Sequence, residues 1–145
     1  MREILKQGDF VVFVYPKMGK SGEFLPQILK DKAGLTGCSA QTKGYENLQA
    51  EFNKLGFKII ALSSQKLAEQ EQFKADTNAT FEFFSDEKFR LKDELGLKTF
   101  KTDDGKEFYF RQTLIFKNGV LAHSHKVAEP ENDAKNTLEI CKNLR

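Results

Sequence analysis

Two nearly uninterrupted apolar runs constrain this chain more than any other feature of it: Phe10-Val11-Val12-Phe13-Val14-Tyr15 and Phe57-Lys58-Ile59-Ile60-Ala61-Leu62. Neither shows the polar alternation of a strand with one wet face. Such runs belong to strands covered on both sides, as in parallel sheets flanked by helices. Between them Tyr45, Leu48, Phe52 and Leu55 recur at helical spacing, and Gly56 supplies a C-terminal stop. The unit is strand, helix, strand, with a right-handed crossover.

The rest of the chain extends this pattern. Ser63-Ser64 offers a cap for a helix running to about Asp76, and Phe81-Glu82-Phe83-Phe84 reads as a third strand. Ser85 offers another cap, with Asp86 and Glu87 where a helix dipole favours anions; Phe89, Leu91 and Leu95 give that helix its apolar face and Gly96 ends it. Asp104-Gly105 and Asn118-Gly119 are hairpin signals, which predict antiparallel strands over roughly 107–117 and 120–127 at the edge of the parallel ones. Leu138, Cys141 and Leu144 fall on one side of a final helix over 132–144. The expected fold class is α/β, a central mixed β-sheet with helices on both faces, in a single domain spanning 1–145.

Charge narrows the function classes. Lys and Arg number 23 against 21 Asp and Glu, interleaved along the chain, so neither a nucleic-acid stripe nor a polybasic membrane patch emerges. The apolar runs are far shorter than the ~20 residues a bilayer span needs. The start, Met1-Arg2-Glu3-Ile4-Leu5-Lys6, lacks an apolar signal core, and two cysteines do not make a secreted disulfide framework. The expectation is a cytoplasmic protein with reduced thiols, acting on a small molecule or a protein partner rather than nucleic acid or membrane.

Cys38 opens the first helix at the carboxyl end of a central strand, where open α/β sheets place their chemistry. A free thiol with a pKa near 8.5 is only about 3% thiolate at pH 7. Lowering that pKa to about 6 asks for about 3.4 kcal/mol of preference for the anion. A helix N-terminus gives roughly 0.3 to 1 kcal/mol, and about 2 at best. A reactive Cys38 therefore needs a cation, and Arg111, which interrupts the apolar residues on either side of it, is the candidate. Two alternatives stand beside this reading. Cys38 taken alone also reads as a small buried hydrophobe, and strand alternation taken alone points Arg111 to solvent on the open face of an edge strand.

Tyr15-Pro16 after an apolar strand, Gly-Cys-Ser-x-Gln at 37–41 and Arg-x-Thr-Leu-Ile-Phe-x-Asn-Gly at 111–119 together resemble the peroxiredoxins, the alkyl hydroperoxide reductase and thiol-specific antioxidant superfamily. Within it the chain is most similar to the bacterioferritin comigratory protein (peroxiredoxin Q) group and to redoxins with a lengthened loop before the cysteine. The resemblance covers roughly residues 8–144. It implies a thioredoxin-like fold and a thiol-dependent peroxidase reducing hydrogen peroxide and organic hydroperoxides through a sulfenic acid at Cys38, with no cofactor. It makes Arg111 the arginine that holds the thiolate and polarises the peroxide, Pro16 the active-site proline and Gln41 a polar residue one turn into the helix. The chain departs from the family pattern in three respects. Twenty-one residues, Lys17 to Gly37, separate Pro16 from Cys38, a longer interval than the family's. Leu35 stands where a threonine is expected, leaving Thr36 as the nearby hydroxyl. The chain also begins almost at the first central strand, without the family's preceding hairpin.

Turnover needs a thiol to reduce the sulfenic acid. The position some relatives use, five after the first cysteine, is Lys43 here. Cys141 is the internal candidate for resolving, against a core-facing role beside Leu138 and Leu144; otherwise thioredoxin or another thiol reductant supplies the electrons. His123 and His125 share a strand face with Leu121 and Val127, and without a Cys-x-x-Cys pair they suggest no metal site. The working unit is a monomer or homodimer. The competing function is a thioredoxin-like redox adaptor or binding module that does no peroxide chemistry.

Overall fold

A computed structural model describes residues 8–16, 38–101, 105 and 107–144, with only the backbone of Cys38 and Ser39. Residues 17–37, expected as a loop and including Thr36, and Asp104 lie outside the described residues. Strands β1 (Asp9–Val14), β2 (Phe57–Ser63) and β3 (Glu82–Ser85) are joined by helices α1 (Cys38–Lys54) and α2 (Leu67–Thr77). Then follow α3 (Leu91–Leu95), the short strands β4 (Thr99–Lys101) and β5 (Glu107–Tyr109), the hairpin β6 (Gln112–Lys117) and β7 (Val120–Lys126), and α4 (Pro130–Leu144).

The main sheet runs β3-β2-β1-β6-β7. β1 pairs parallel with β2 and antiparallel with β6, and β2 pairs parallel with β3. Because β1 and β2 are central, both faces of each must be dry, which is why their sequences do not alternate. One face packs Val11, Phe13, Ile59, Ala61 and Ile115 against Tyr45 and Phe52 of α1, Phe73 of α2 and Leu138 and Cys141 of α4. The other packs Val12, Val14, Ile60, Leu62 and Leu114 against Leu95, Leu97 and Tyr109. Both faces are covered, but among the described residues three helices share one face while α3 and the β4–β5 pair cover the other. No helix of the described residues is long and apolar enough to cross a membrane.

Several local expectations change. The serines at 63–64 do not cap α2. Ser63 ends β2 and its hydroxyl accepts from the Gln65 amide at 3.2 Å, so the helix starts only at Leu67. Ser85 likewise ends β3, its hydroxyl donating to the Gln65 carbonyl. The capping carboxylate is Asp86, which accepts from the Arg90 and Leu91 amides at 2.9 Å each. Phe89, at φ 55, interrupts the turn before it, so α3 is a five-residue helix. The expected strand over 107–117 is two strands: β5 pairs with β4 in its own small sheet, and only β6 joins the main one. The last helix begins at Pro130, two residues earlier than expected. The Asn118-Gly119 turn is as expected, with both residues at positive φ, the geometry a two-residue hairpin of the right twist requires.

Candidate active site

The break between β5 and β6 places Arg111. Phe110 donates its amide to the Lys98 carbonyl in the small sheet, and Val127 donates to the Arg111 carbonyl. The residue is thus pinned where the two sheets part. Val14 lies opposite Gln112, which sets Arg111 beside the C-terminal end of β1. Its side chain is 1% exposed, so the solvent-facing alternative for Arg111 is not what the fold adopts. The reason is position: β7, not β6, is the sheet edge, and both faces of β6 are covered.

A buried guanidinium needs acceptors. Arg111 Nη1 donates to Gln41 Oε1 at 2.7 Å. Gln41, itself fully buried, lies one turn past Cys38, the first residue of α1. Its other end, Nε2, donates to Asp133 Oδ2 at 3.0 Å. That same oxygen accepts from Tyr45 Oη at 2.6 Å and Thr113 Oγ1 at 2.7 Å. The second carboxylate oxygen faces His125 Nε2 at 2.9 Å and Thr137 Oγ1 at 3.2 Å. One carboxylate on the first turn of α4 thereby ties together α1, β6 and β7. Helix packing makes this possible at Gly44, where an added β-carbon would lie 3.4 Å from Ala134 Cβ.

Burial alone would raise the Asp133 pKa, but the bonds from His125, Tyr45, Thr113 and Gln41 outweigh it and hold the carboxyl below its ordinary value. Tyr45 is pushed well above the ordinary phenol range, first by burial and then by the Asp133 charge, so it remains a donor. His125 passes the network outward: its Nδ1 lies 3.0 Å from His123 Nε2. Since a carboxylate only accepts, His125 carries a hydrogen on Nε2, directed at Asp133. Both imidazoles line a cleft of about 440 Å³ with Val127, Glu129, Asn136 and Ile140.

The two histidines do share a face, but the expectation that Leu121 shares it with them is corrected by a bulge in β7. His123 stands opposite Ile115 but Leu121 opposite Phe116, leaving Ala122 as the extra residue. Leu121 therefore turns to the opposite face from His123, while on the histidines' own face His125 reaches Asp133 and His123 reaches His125.

Burial, and then the neighbouring His125, lower the His123 pKa. The unfolded chain therefore takes up a proton more readily than the folded one. This contribution to stability is complete above about pH 6.5 and is lost as pH falls through the window below it. Asp133, also depressed, adds a loss in the same direction below about pH 4. His123→Gln is expected to flatten the decline in unfolding free energy between pH 7 and 5, measured by urea titration at each pH; an unchanged slope would contradict this.

The remaining expected site residues are dispersed. Pro16 is buried in the bend directly after β1, at the same end of the sheet as Arg111. Nearby, the Gln70 amide nitrogen lies 2.9 Å from Tyr15 Oη, 3.2 Å from Ser63 Oγ and 2.6 Å from the Phe84 carbonyl, joining the C-terminal ends of the three parallel strands. Cys141 is fully buried in the core two turns beyond Asp133. Burial, and then Asp9, push its thiol up to about 12. Asp9 begins β1, so this thiol lies toward the end of the sheet away from Pro16. Sequence reasoning did not single out Asp133, Thr113 or Thr137, and it read Tyr45 only as an apolar helix face. The sole advance signal was the placement of His123 and His125 on one face.

A profile of the Redoxin family matches residues 2–139. The chain belongs to the Redoxin family. A chloroplastic peroxiredoxin Q of Oryza sativa subsp. japonica is 28% identical over 111 residues, 74% of this chain and 49% of that protein. The chain thus spans about half the length of the curated relatives it matches. Among solved structures, peroxidoxin BcpB from Mycobacterium tuberculosis superposes with a TM-score of 0.77 at 16% identity, over 99% of this chain and 84% of that one. The bacterioferritin comigratory protein of Xanthomonas campestris gives 0.77 at 19% identity, covering 99% and 83%. A cysteine-to-serine mutant of Xylella fastidiosa PrxQ gives 0.79 at 16%, covering 98% and 80%. The fold of this redoxin is accordingly thioredoxin-like, and its relatives in sequence and fold are of the bacterioferritin comigratory and peroxiredoxin Q group.

Proposed function

We propose that this redoxin is a thiol-dependent peroxidase that reduces hydrogen peroxide and organic hydroperoxides through a sulfenic acid at Cys38. The observation that carries the reading is the fully buried Arg111 guanidinium, held by Gln41 one turn from the position where Cys38 opens α1. In the proposed reaction the Cys38 thiolate attacks one peroxide oxygen as the O–O bond breaks. Sulfur is oxidised to the sulfenic acid, and the departing oxygen takes a proton to leave as water or alcohol. Arg111 stabilises the thiolate beforehand and the charge that develops on the departing oxygen. Thr36 and Pro16 complete the proposed site.

We propose that the sulfenic acid is resolved from outside the chain, by thioredoxin or another small or protein thiol: a first thiol condenses to a mixed disulfide with loss of water, and a second releases Cys38. The burial of Cys141 and its raised pKa support this over internal resolution, because a protonated buried thiol is a poor nucleophile. The near absence of other cysteines suits a reducing, cytoplasmic setting.

Stopped-flow mixing of the reduced protein with hydrogen peroxide tests the reading. Expected is rapid loss of the Cys38 thiol, its absence in Cys38→Ser, and full retention of turnover with thioredoxin in Cys141→Ser. If Cys38 reacts no faster than a free thiol of equal pKa, the chain is instead a redox adaptor or binding module of the same fold.

A further inference from the structure

Asp133 has no assigned part in the chemistry, yet it is the most heavily engaged side chain near it. Five side chains from α1, β6, β7 and α4 reach its two oxygens: Gln41, Tyr45, Thr113, His125 and Thr137. Its relation to Gln41 is directional. An amide has one accepting and one donating end, and a carboxylate can only accept while a guanidinium can only donate. Asp133 therefore captures the Gln41 NH₂ group and turns the carbonyl toward Arg111. Without the carboxylate the amide is free to flip, which would set NH₂ against guanidinium.

We propose that Asp133 is a positioning residue for the peroxide-reducing site, fixing the orientation of Gln41 and through it the placement of the Arg111 guanidinium. The depressed Asp133 pKa agrees, since the carboxyl stays ionised and acts as acceptor throughout the working pH range. His125 and Thr137 hold the other oxygen, so the carboxylate cannot rotate away from Gln41 without losing them. The proposal rests on the reading that Arg111 serves the Cys38 thiolate.

The sign of one measurement separates positioning from simple charge. Removing a negative charge near the site would, by Coulomb's law alone, lower the Cys38 pKa. Displacing Arg111 would raise it. In Asp133→Asn the apparent pKa of Cys38, read from the pH dependence of alkylation, is expected to rise, and the rate constant for oxidation by hydrogen peroxide to fall about tenfold. That is less than the 10²- to 10³-fold typical of losing a direct donor. In a Gln41→Leu background the same substitution is expected to change neither quantity further, because the route is already cut. Leu138→Ala, buried on the same helix but outside the hydrogen-bond network, lowers the melting temperature and leaves both quantities unchanged. A lowered or unchanged Cys38 pKa in Asp133→Asn, or full additivity with Gln41→Leu, would overturn the proposal. The alkylation readout needs no peroxide activity, so a wild-type protein inert to peroxide would remove the peroxidase reading while leaving this one to be judged on pKa alone.

Discussion

Arg111→Leu is expected to slow oxidation of Cys38 by hydrogen peroxide by roughly 10²- to 10³-fold, the scale of losing a preorganised donor to developing negative charge. On the proposed mechanism it also removes the cation that the thiolate needs. The helix N-terminus supplies at most about 2 kcal/mol of the roughly 3.4 that a mostly ionised thiol requires. The Cys38 pKa should accordingly rise toward that of a free thiol, visible as a shifted alkylation profile. Arg111→Lys is expected to recover only part of the rate, because an ammonium lacks the planar fork with which, on the proposed mechanism, Arg111 meets Gln41 and substrate together. Stability moves less than rate: the buried Gln41 Oε1 loses its partner, at a cost of about 1–3 kcal/mol. A rate constant within a factor of two of wild type in folded Arg111→Leu would remove Arg111 from the mechanism.

Phe13→Ala is expected to be the most destabilising single truncation, by about 3–5 kcal/mol. Phe13 is fully buried in β1 and stacks on Tyr45 of α1, with ring centroids 4.4 Å apart and an interplanar angle of 1°. Its other side meets Phe81 edge-on at 5.5 Å and Tyr15 at 6.1 Å. Such pairs add about 0.5–1.5 kcal/mol beyond burial, and a central strand between two packed layers has little room to collapse into the void. The loss is a large share of the 5–15 kcal/mol typical of a domain. Urea denaturation should show a lower midpoint at unchanged slope; a shift under 1 kcal/mol would mean that the aromatic layer relaxes around the gap. Because Tyr45 also donates to Asp133, the same variant should weaken the site, whereas truncating Phe100, partly buried in the outlying β4–β5 pair, should do neither.

The parallel core could be read from the chain because its cause is local. Runs such as 10–15 and 57–62 tolerate no wet face, and Gly56, Gly96 and Gly119 adopt the positive φ for which glycine is the least costly residue. Helix starts were less legible. Serines at 63, 64 and 85 have capping chemistry, but Ser63 and Ser85 were drawn into strand ends, where β2 and β3 pair and the Gln65 loop closes over them. A continuous β pattern over 107–117 gave no hint of its division, because both halves are extended and only their pairing partners differ. Pairing is a long-range property, invisible to periodicity.

The candidate site divides in the same way. The sequence by itself determined that a cysteine opens a helix after a buried strand, and that an arginine stands in an apolar stretch where it must find an acceptor or reach water. Only the tertiary structure decided between those two. It put β7 outside β6, closed the solvent route for Arg111, and brought Gln41, Tyr45, Thr113, His125 and Asp133 together from four elements. The physical reason is that a polar residue's role depends on its partners. Asp133 on an exposed helix turn would be one more surface carboxylate; packed against α1 at Gly44, with His125 and Thr113 paired opposite each other on the sheet face it meets, it becomes the acceptor on which the buried network depends.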